Sequence, residues 1–380
     1  MTHARRYASR MLWMTAVFAA SLWSSGARAE PSHRPRPQRS VLVTALYNSM
    51  VIGEGGSLWV WGGLTGESAG TLPQIELSQA TPVRMPGMRD VVSISSRLGL
   101  FSLALMKDGT VQAWGYNFSG ELGIGTTELP HRRVQVLGLT DVVSLSAGRD
   151  YSLAVRSDGT VWAWGSNRSG QLGDGTTQMR LVPVQVPGLT GVVSVLAGDT
   201  HSLALHTDGT VSAWGSNNNG QLGDGTTQPR TVPVKVLGLT KVVSLASGWA
   251  SSLALREDGT VWGWGSNFNG ELGDSAPSRS IATPIPGLDG VEALSMSSWH
   301  GLALKKNGMV WAWGSNNVGQ LGDGTQVSRP TPRPVPGLHG VLAVATGNVH
   351  SLALKRDGTL LGWGYNELGT LGTGTDRQLV

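Results

Sequence analysis

The feature that most constrains this chain is a phrase that returns about every fifty residues. A Trp-Gly pair recurs at Trp61, Trp114, Trp164, Trp214, Trp264, Trp313 and Trp363, at spacings of 53, 50, 50, 50, 49 and 50. Around each pair the same parts follow in order, most clearly over 141–190. They are Val-Val-Ser-Leu-Ser, a short loop, Ser-Leu-Ala-Val, Asp-Gly-Thr, Val-Trp-Ala-Trp-Gly, a polar loop ending Leu-Gly-Asp-Gly-Thr, Val-Pro-Val-Gln-Val and Pro-Gly-Leu. A unit this short cannot bury its own apolar face, so neighbouring units must stack to share a core. Each unit offers four runs of strand character and none with a helical period. Asp158-Gly159 lies between two such runs and returns as Asp108-Gly109, Asp208-Gly209, Asp258-Gly259 and Asp357-Gly358, with Asn307-Gly308 in the sixth unit and Gly55-Gly56 in the first. This is a strong hairpin signal, because Gly takes positive φ at no steric cost. Four antiparallel strands, seven times over 41–380, predict an all-β fold, a seven-bladed β-propeller with four-stranded blades. The 54 glycines agree, at about twice the usual ~7% share.

Alternation assigns the faces of the strands. In Val161-Trp162-Ala163-Trp164 the two Trp share one side. The second Trp is constant, whereas the first slot holds Trp59, Gln112, Trp162, Ser212, Trp262, Trp311 and Leu361. The constant ring is expected between blades, where an aromatic side chain buries ~150–250 Å². The last unit stops at Val380, before its fourth strand. Ser32-His-Arg-Pro-Arg-Pro-Gln-Arg resembles Ser328-Arg-Pro-Thr-Pro-Arg-Pro-Val, so residues 30–40 are either the strand that closes the ring or a basic Pro-rich linker.

Residues 1–29 read as a secretory signal peptide. Arg5, Arg6 and Arg10 precede an apolar run from Met11 to Trp23, and Ala27-Arg28-Ala29 suits cleavage before Glu30. The alternative is an N-terminal anchor, for which the run is short, since ~20 residues are needed to span a bilayer. Removing this segment removes four Arg and no acid, and leaves 25 basic and 25 acidic residues. The mature chain is then neutral and lacks the basic footprint of a nucleic-acid binder. With no Cys, disulfides, thiolate catalysis and thiolate zinc sites are excluded. The expected location is secreted or periplasmic, with no membrane span after cleavage.

The phrase Asp-Gly-Thr-Val-Trp-Ala-Trp-Gly-Ser-Asn, with Gly-Gln-Leu-Gly-Asp-Gly-Thr after it and His-Ser-Leu-Ala-Leu before it, is similar to the repeat of the regulator of chromosome condensation family. It stands at 201–205 with 208–226, and nearly so at 151–176 and 350–375. The resemblance implies a seven-bladed propeller of that type. It also brings the founder's role, nucleotide exchange on a small GTPase together with chromatin binding. An export signal and a neutral mature charge oppose that role, and no long insertion offers a wedge into a nucleotide site. Exported propellers of this superfamily resemble binding platforms instead, one type inhibiting β-lactamases, which is an analogy of fold alone.

Sequence patterns of known chemistry are missing. The loop Gly170-Gln-Leu-Gly-Asp-Gly-Thr-Thr lacks the Gly-Lys-Ser/Thr ending of a phosphate cradle, and His-Glu-x-x-His and Gly-x-Ser-x-Gly are absent. No catalytic residue, cofactor or metal is assigned. What varies is the loop before each Ser-Leu-Ala strand: Leu46-Tyr47-Asn48, Gly99-Leu100-Phe101, Arg149-Asp150-Tyr151, Asp199-Thr200-His201, Trp249-Ala250-Ser251, Ser298-Trp299-His300 and Asn348-Val349-His350. Of the Trp outside the signal, Trp249 and Trp299 alone fall outside the repeat motif. Aromatics mixed with Arg, Asp and His have the composition of interface hot spots. The candidate partner-binding residues are therefore Tyr47, Phe101, Arg149, Tyr151, Asp199, His201, Trp249, Trp299, His300 and His350, unless they merely fill the funnel of the channel. The expected function is a monomeric, non-catalytic module that binds another protein, or inhibits it. The alternatives are a polysaccharide hydrolase or lyase with its site in the funnel, and a guanine nucleotide exchange factor. Asn117-Phe-Ser and Asn167-Arg-Ser match the N-glycosylation pattern by coincidence of the repeat.

Overall fold

A computed structural model describes residues 41–45, 48–63, 78–98 and 100–375. The signal peptide, the 30–40 segment and Tyr47 lie outside the described residues. The seven units form seven blades, of which six have four antiparallel strands in sequence order and the seventh has three among the described residues. Blade three is representative, with strands Val142–Ala147, Tyr151–Arg156, Val161–Gly165 and Arg180–Gln185. First strands of successive units neighbour one another around the central channel, and the first unit meets the seventh. Hydroxyls tie this inner ring: Ser95 Oγ accepts from Ala147 N at 2.9 Å, and Ser146 Oγ accepts from Ala197 N at 3.0 Å. Among the described residues no helix is long and apolar enough to cross a membrane.

The constant Trp is the seam between blades. Trp164 is fully buried among Leu103, Leu105, Val111 and Ala113 of the preceding blade. Its indole N–H donates to Glu121 O at 2.8 Å, and Ser152 Oγ donates to the same carbonyl at 2.9 Å. Between blades four and three, Trp214 and Ser202 repeat this on Gln171 O, and Trp264 and Ser252 repeat it on Gln221 O. Closure uses the same device, with Trp61 and Ser49 donating to Thr370 O at 2.9 and 3.0 Å. The Gly after each Trp is required by the backbone. Gly165 has φ +100, and a Cβ there would sit 2.7 Å from Asp150 O.

Two local readings are sharpened. The Asp-Gly hairpins are three-residue loops, in which Gly159 N bonds Arg156 O and Arg156 N bonds Thr160 O. Gly159 takes the positive φ and Asp158 does not. Asp158 instead accepts from the Thr160 amide and hydroxyl at 2.9 and 2.6 Å, which explains the Thr of Asp-Gly-Thr. In four units the residue at the variable first Trp slot contacts the one six positions earlier. Arg156, Arg256 and Lys305 lie over Trp162, Trp262 and Trp311 at 5.7, 5.4 and 4.2 Å, while His206 hydrogen-bonds Ser212 at 2.9 Å.

Candidate functional site

The turn from first to second strand and the long loop from third to fourth emerge on the same face, because Tyr151 pairs with Gly165 where one strand starts and the other ends. This upper face carries all the candidate residues that the structure describes. The Asp-Gly hairpins and Pro-Gly-Leu connections form the lower face.

The long loops are rigid platforms. Asn167 Oδ1 accepts from Leu172 N, while its amide donates to Thr176 O and Asp174. Asp174 also accepts from Thr176 and pairs with Arg180 at 2.7 Å. Burial is the largest single influence on Asp174 and acts upward, but these bonds outweigh it and hold its carboxyl below the usual range. The same Asp–Arg pairing fastens Asp224 to Arg230, Asp274 to Arg279, and Asp323 to Arg329. Asn117 and Asn167 are buried in this role, so neither sequon is open to glycosylation in the folded protein.

The ten candidate residues divide according to their place in the turn. The last residue of each turn already belongs to the second strand and points at the next blade. Phe101, Tyr151, His201, His300 and His350 are therefore buried. Buried side chains cannot contact a partner of the folded protein, and for these five the expectation of an exposed rim gives way to a structural role. His201, His300 and His350 place Nε2 at 3.0, 2.8 and 3.0 Å from Ser252, Ser351 and Ser49 of the following blades. Each Ser spends its one hydroxyl hydrogen on a backbone carbonyl, so the imidazole must be the donor, neutral and protonated on Nε2. The Nδ1 atoms of His201 and His350 are buried without a partner. Burial accordingly lowers the His201 and His300 pKa values to about 3 and that of His350 to about 4, with Arg97 adding to the effect at His201 and His350 at His300. Each His is engaged with a different blade, and the three do not converge on a common point.

Asp199 is also withdrawn from solvent. Arg97 of blade two crosses the mouth of the channel and donates through Nε to Asp199 Oδ1 of blade four at 2.6 Å. Its Nη1 donates to Ala197 O at 3.2 Å, Ser247 O at 3.3 Å and Ser247 Oγ at 3.2 Å, the last two on blade five. Arg97 was not among the candidates. Its signal was present, because the residue after the first strand is Arg97 in unit two but Ala45, Gly148, Gly198, Gly248, Ser297 and Gly347 elsewhere.

Three candidates remain exposed: Arg149, Trp249 and Trp299. Trp249 and Trp299 are 44% and 41% exposed on blades five and six. Phe268, on the long loop of blade five, is 74% exposed on the same face. Phe268 was overlooked because it lies in a loop that otherwise repeats, in a slot that also holds Phe118, Arg168, Asn218, Asn317 and Glu367. Phe118 stands apart on blade two, stacked on Tyr116 at 5.3 Å. The charged groups of the long loops on blades five and six are consumed internally, Asp274 and Asp323 by Arg, and Glu271 by Ser266 Oγ and Asn269 N. The upper face thus has an aromatic, weakly charged sector on blades five and six and an ionic one on blades two to four.

A family model described as RCC1-like domain matches residues 130–380. No curated protein matches the chain. Human WBSCR16 is similar in structure at 25% identity and TM-score 0.71, over 80% of this chain and 83% of that one. Prp20p from Saccharomyces cerevisiae, studied for its binding to Gsp1p and histones, is similar at 24% identity and TM-score 0.74, over 91% and 88%. The CRINKLY WD40 ectodomain of the Arabidopsis thaliana receptor kinase ACR4 shares the fold at 15% identity and TM-score 0.54, over 90% and 99%.

Proposed function

This chain belongs to the RCC1-like domain family, and from that premise we propose that it is a non-catalytic, monomeric binding module whose upper face docks another protein on blades five and six. The observation that carries the reading is the exposure of Trp249, Phe268 and Trp299 together in one sector, on a frame whose repeat Trp61, Trp114, Trp164, Trp214, Trp264 and Trp313 are buried in seams. Large rings held at their base by rigid turns lose little entropy on binding, which is why such residues act as anchors. A polysaccharide-cleaving site in the funnel has less support, because the acid at the mouth, Asp199, is bonded to Arg97. The proposed setting is outside the cytoplasm, with cleavage after Ala29. N-terminal sequencing of the exported protein should start at Glu30, and a retained Met1 would contradict it. For the binding role, immobilised wild type and a W249A/F268A/W299A variant are compared for what each retains from the secreted fraction of the producing organism. The variant should lose the specifically retained protein while unfolding at nearly the wild-type temperature. Equal retention by both would sink the proposed sector.

A further inference from the structure

Blade three alone carries a basic residue at both exposed upper-face slots, Arg149 in the turn and Arg168 in the long loop. In the blades that follow, the Arg149 slot holds Asp199, Trp249, Ser298 and Asn348. The turn and the long loop of blade three meet where the Ser166 amide donates to Asp150 O at 2.9 Å, and both guanidinium groups favour the charged form of the Asp150 carboxylate. Among the described residues neither forms a salt bridge. The four Arg that end the neighbouring long loops are all bound to an Asp, as is Arg97. Asp150 is an incomplete counter-ion for the pair. It is one charge against two, it is half-buried, and its Oδ1 has no hydrogen-bond partner. Burial also pushes its pKa upward. The upper face therefore offers an uncompensated cationic spot on blade three and an apolar, weakly charged patch on blades five and six, with the Arg97–Asp199 clasp between them.

We propose that the partner segment is amphipathic, with an apolar stretch seated on Trp249, Phe268 and Trp299 and one or two carboxylates bound by Arg149 and Arg168. The inference rests on the binding reading above and adds the chemistry of the partner. Guanidinium groups bind carboxylates in paired, directional hydrogen bonds, so the acidic end fixes the direction in which the segment lies. Joining the two sites takes the segment across the upper face, past the Arg97–Asp199 clasp.

The test is selection from a displayed library of random twelve-residue peptides on the full chain. Wild type should select peptides in which Asp or Glu stands at a constant offset from a cluster of apolar residues. An R149E/R168E variant should bind those peptides about tenfold more weakly or worse, as loss of a close charge pair does, and should select peptides in which Lys or Arg replaces the acid. R149K/R168K should lie between the two. Peptides that lack acids, or that R149E/R168E binds as tightly as wild type, would overturn the inference and leave the aromatic sector standing. A library from which nothing binds wild type more tightly than it binds W249A/F268A/W299A would overturn both. Tighter binding of a duplex DNA probe than of the selected peptides would also reject the carboxylate reading, since the pair would then be a phosphate contact.

Discussion

The blade two to four sector and the blade five to six sector of the upper face share one backbone, yet use it in opposite ways. In the first, the turns send side chains inward, Arg149 excepted: Asp199 takes Arg97 from across the channel, and Tyr151 and His201 reach hydroxyls of the next blade. In the second, the turns expose Trp249 and Trp299. The seam beneath them has small residues, Ser251 and Gly301, in place of the His–Ser pair. Ser251 contacts the Met296 sulfur at 3.9 Å instead. A repeat therefore permits a division of labour, since backbone register alone positions the turns and each side chain is free either to brace the ring or to face a partner.

The largest expected effect comes from acid, because the braced seams contain His and the five–six seam does not. Each buried His has a folded pKa below its unfolded value of ~6.5. The unfolded chain thus binds more protons, and the stabilisation is complete above pH ~6.5 and falls as pH drops toward the folded values. Three such groups give a slope approaching ~4 kcal/mol per pH unit between roughly pH 6 and 4. Denaturant midpoints measured across that window should fall steeply, and a triple His201→Gln, His300→Gln, His350→Gln variant should flatten the slope. Hydrogen exchange at pH 4.5 should open the seams after blades four, six and seven before the one after blade five; uniform opening would break the contrast.

Next in size is the difference between a seam Trp and a surface Trp of the same blade. Trp264→Ala removes a fully buried ring and should cost ~3–5 kcal/mol, whereas Trp249→Ala should stay within ~1 kcal/mol, as exposed substitutions do. Similar losses in a urea titration would mean that Trp249 is structural. Smaller again is the clasp. Arg97→Met leaves Asp199 buried without its counter-charge and should cost ~3 kcal/mol. The double change Arg97→Met, Asp199→Leu should recover most of that, because a buried ion pair gains little over apolar residues that fill the same space. Failure of the double variant to recover stability would show that the carbonyl contacts of Arg97, and not the charge pair, hold the mouth.

Much of this protein was legible in its sequence. The blade count, the strand order and the seam position of the Trp all follow from spacing and alternation, which are local and recur in each unit. The candidate turns were legible as a set, since the residues of them that the structure describes lie on one face. Their division was not. Tyr151 and His201 read as rim residues next to Arg149 and Asp199, because a boundary of a single residue separates turn from strand and the pattern does not mark it. Phe268 and Arg168 were hidden by the reverse effect, exposed positions inside a loop whose other residues are constant.

Periodic local signals determined the backbone by themselves, because strand alternation and hairpin chemistry act over two to five residues and each unit repeats them. Tertiary structure alone decided which side chains brace the ring and which face outward. His350 finds its hydroxyl on Ser49 and Arg97 finds its acid on Asp199 only once the ring has closed. Burial and charge pairing depend on distance in space, and closure brings together residues that lie one hundred to three hundred positions apart in the chain.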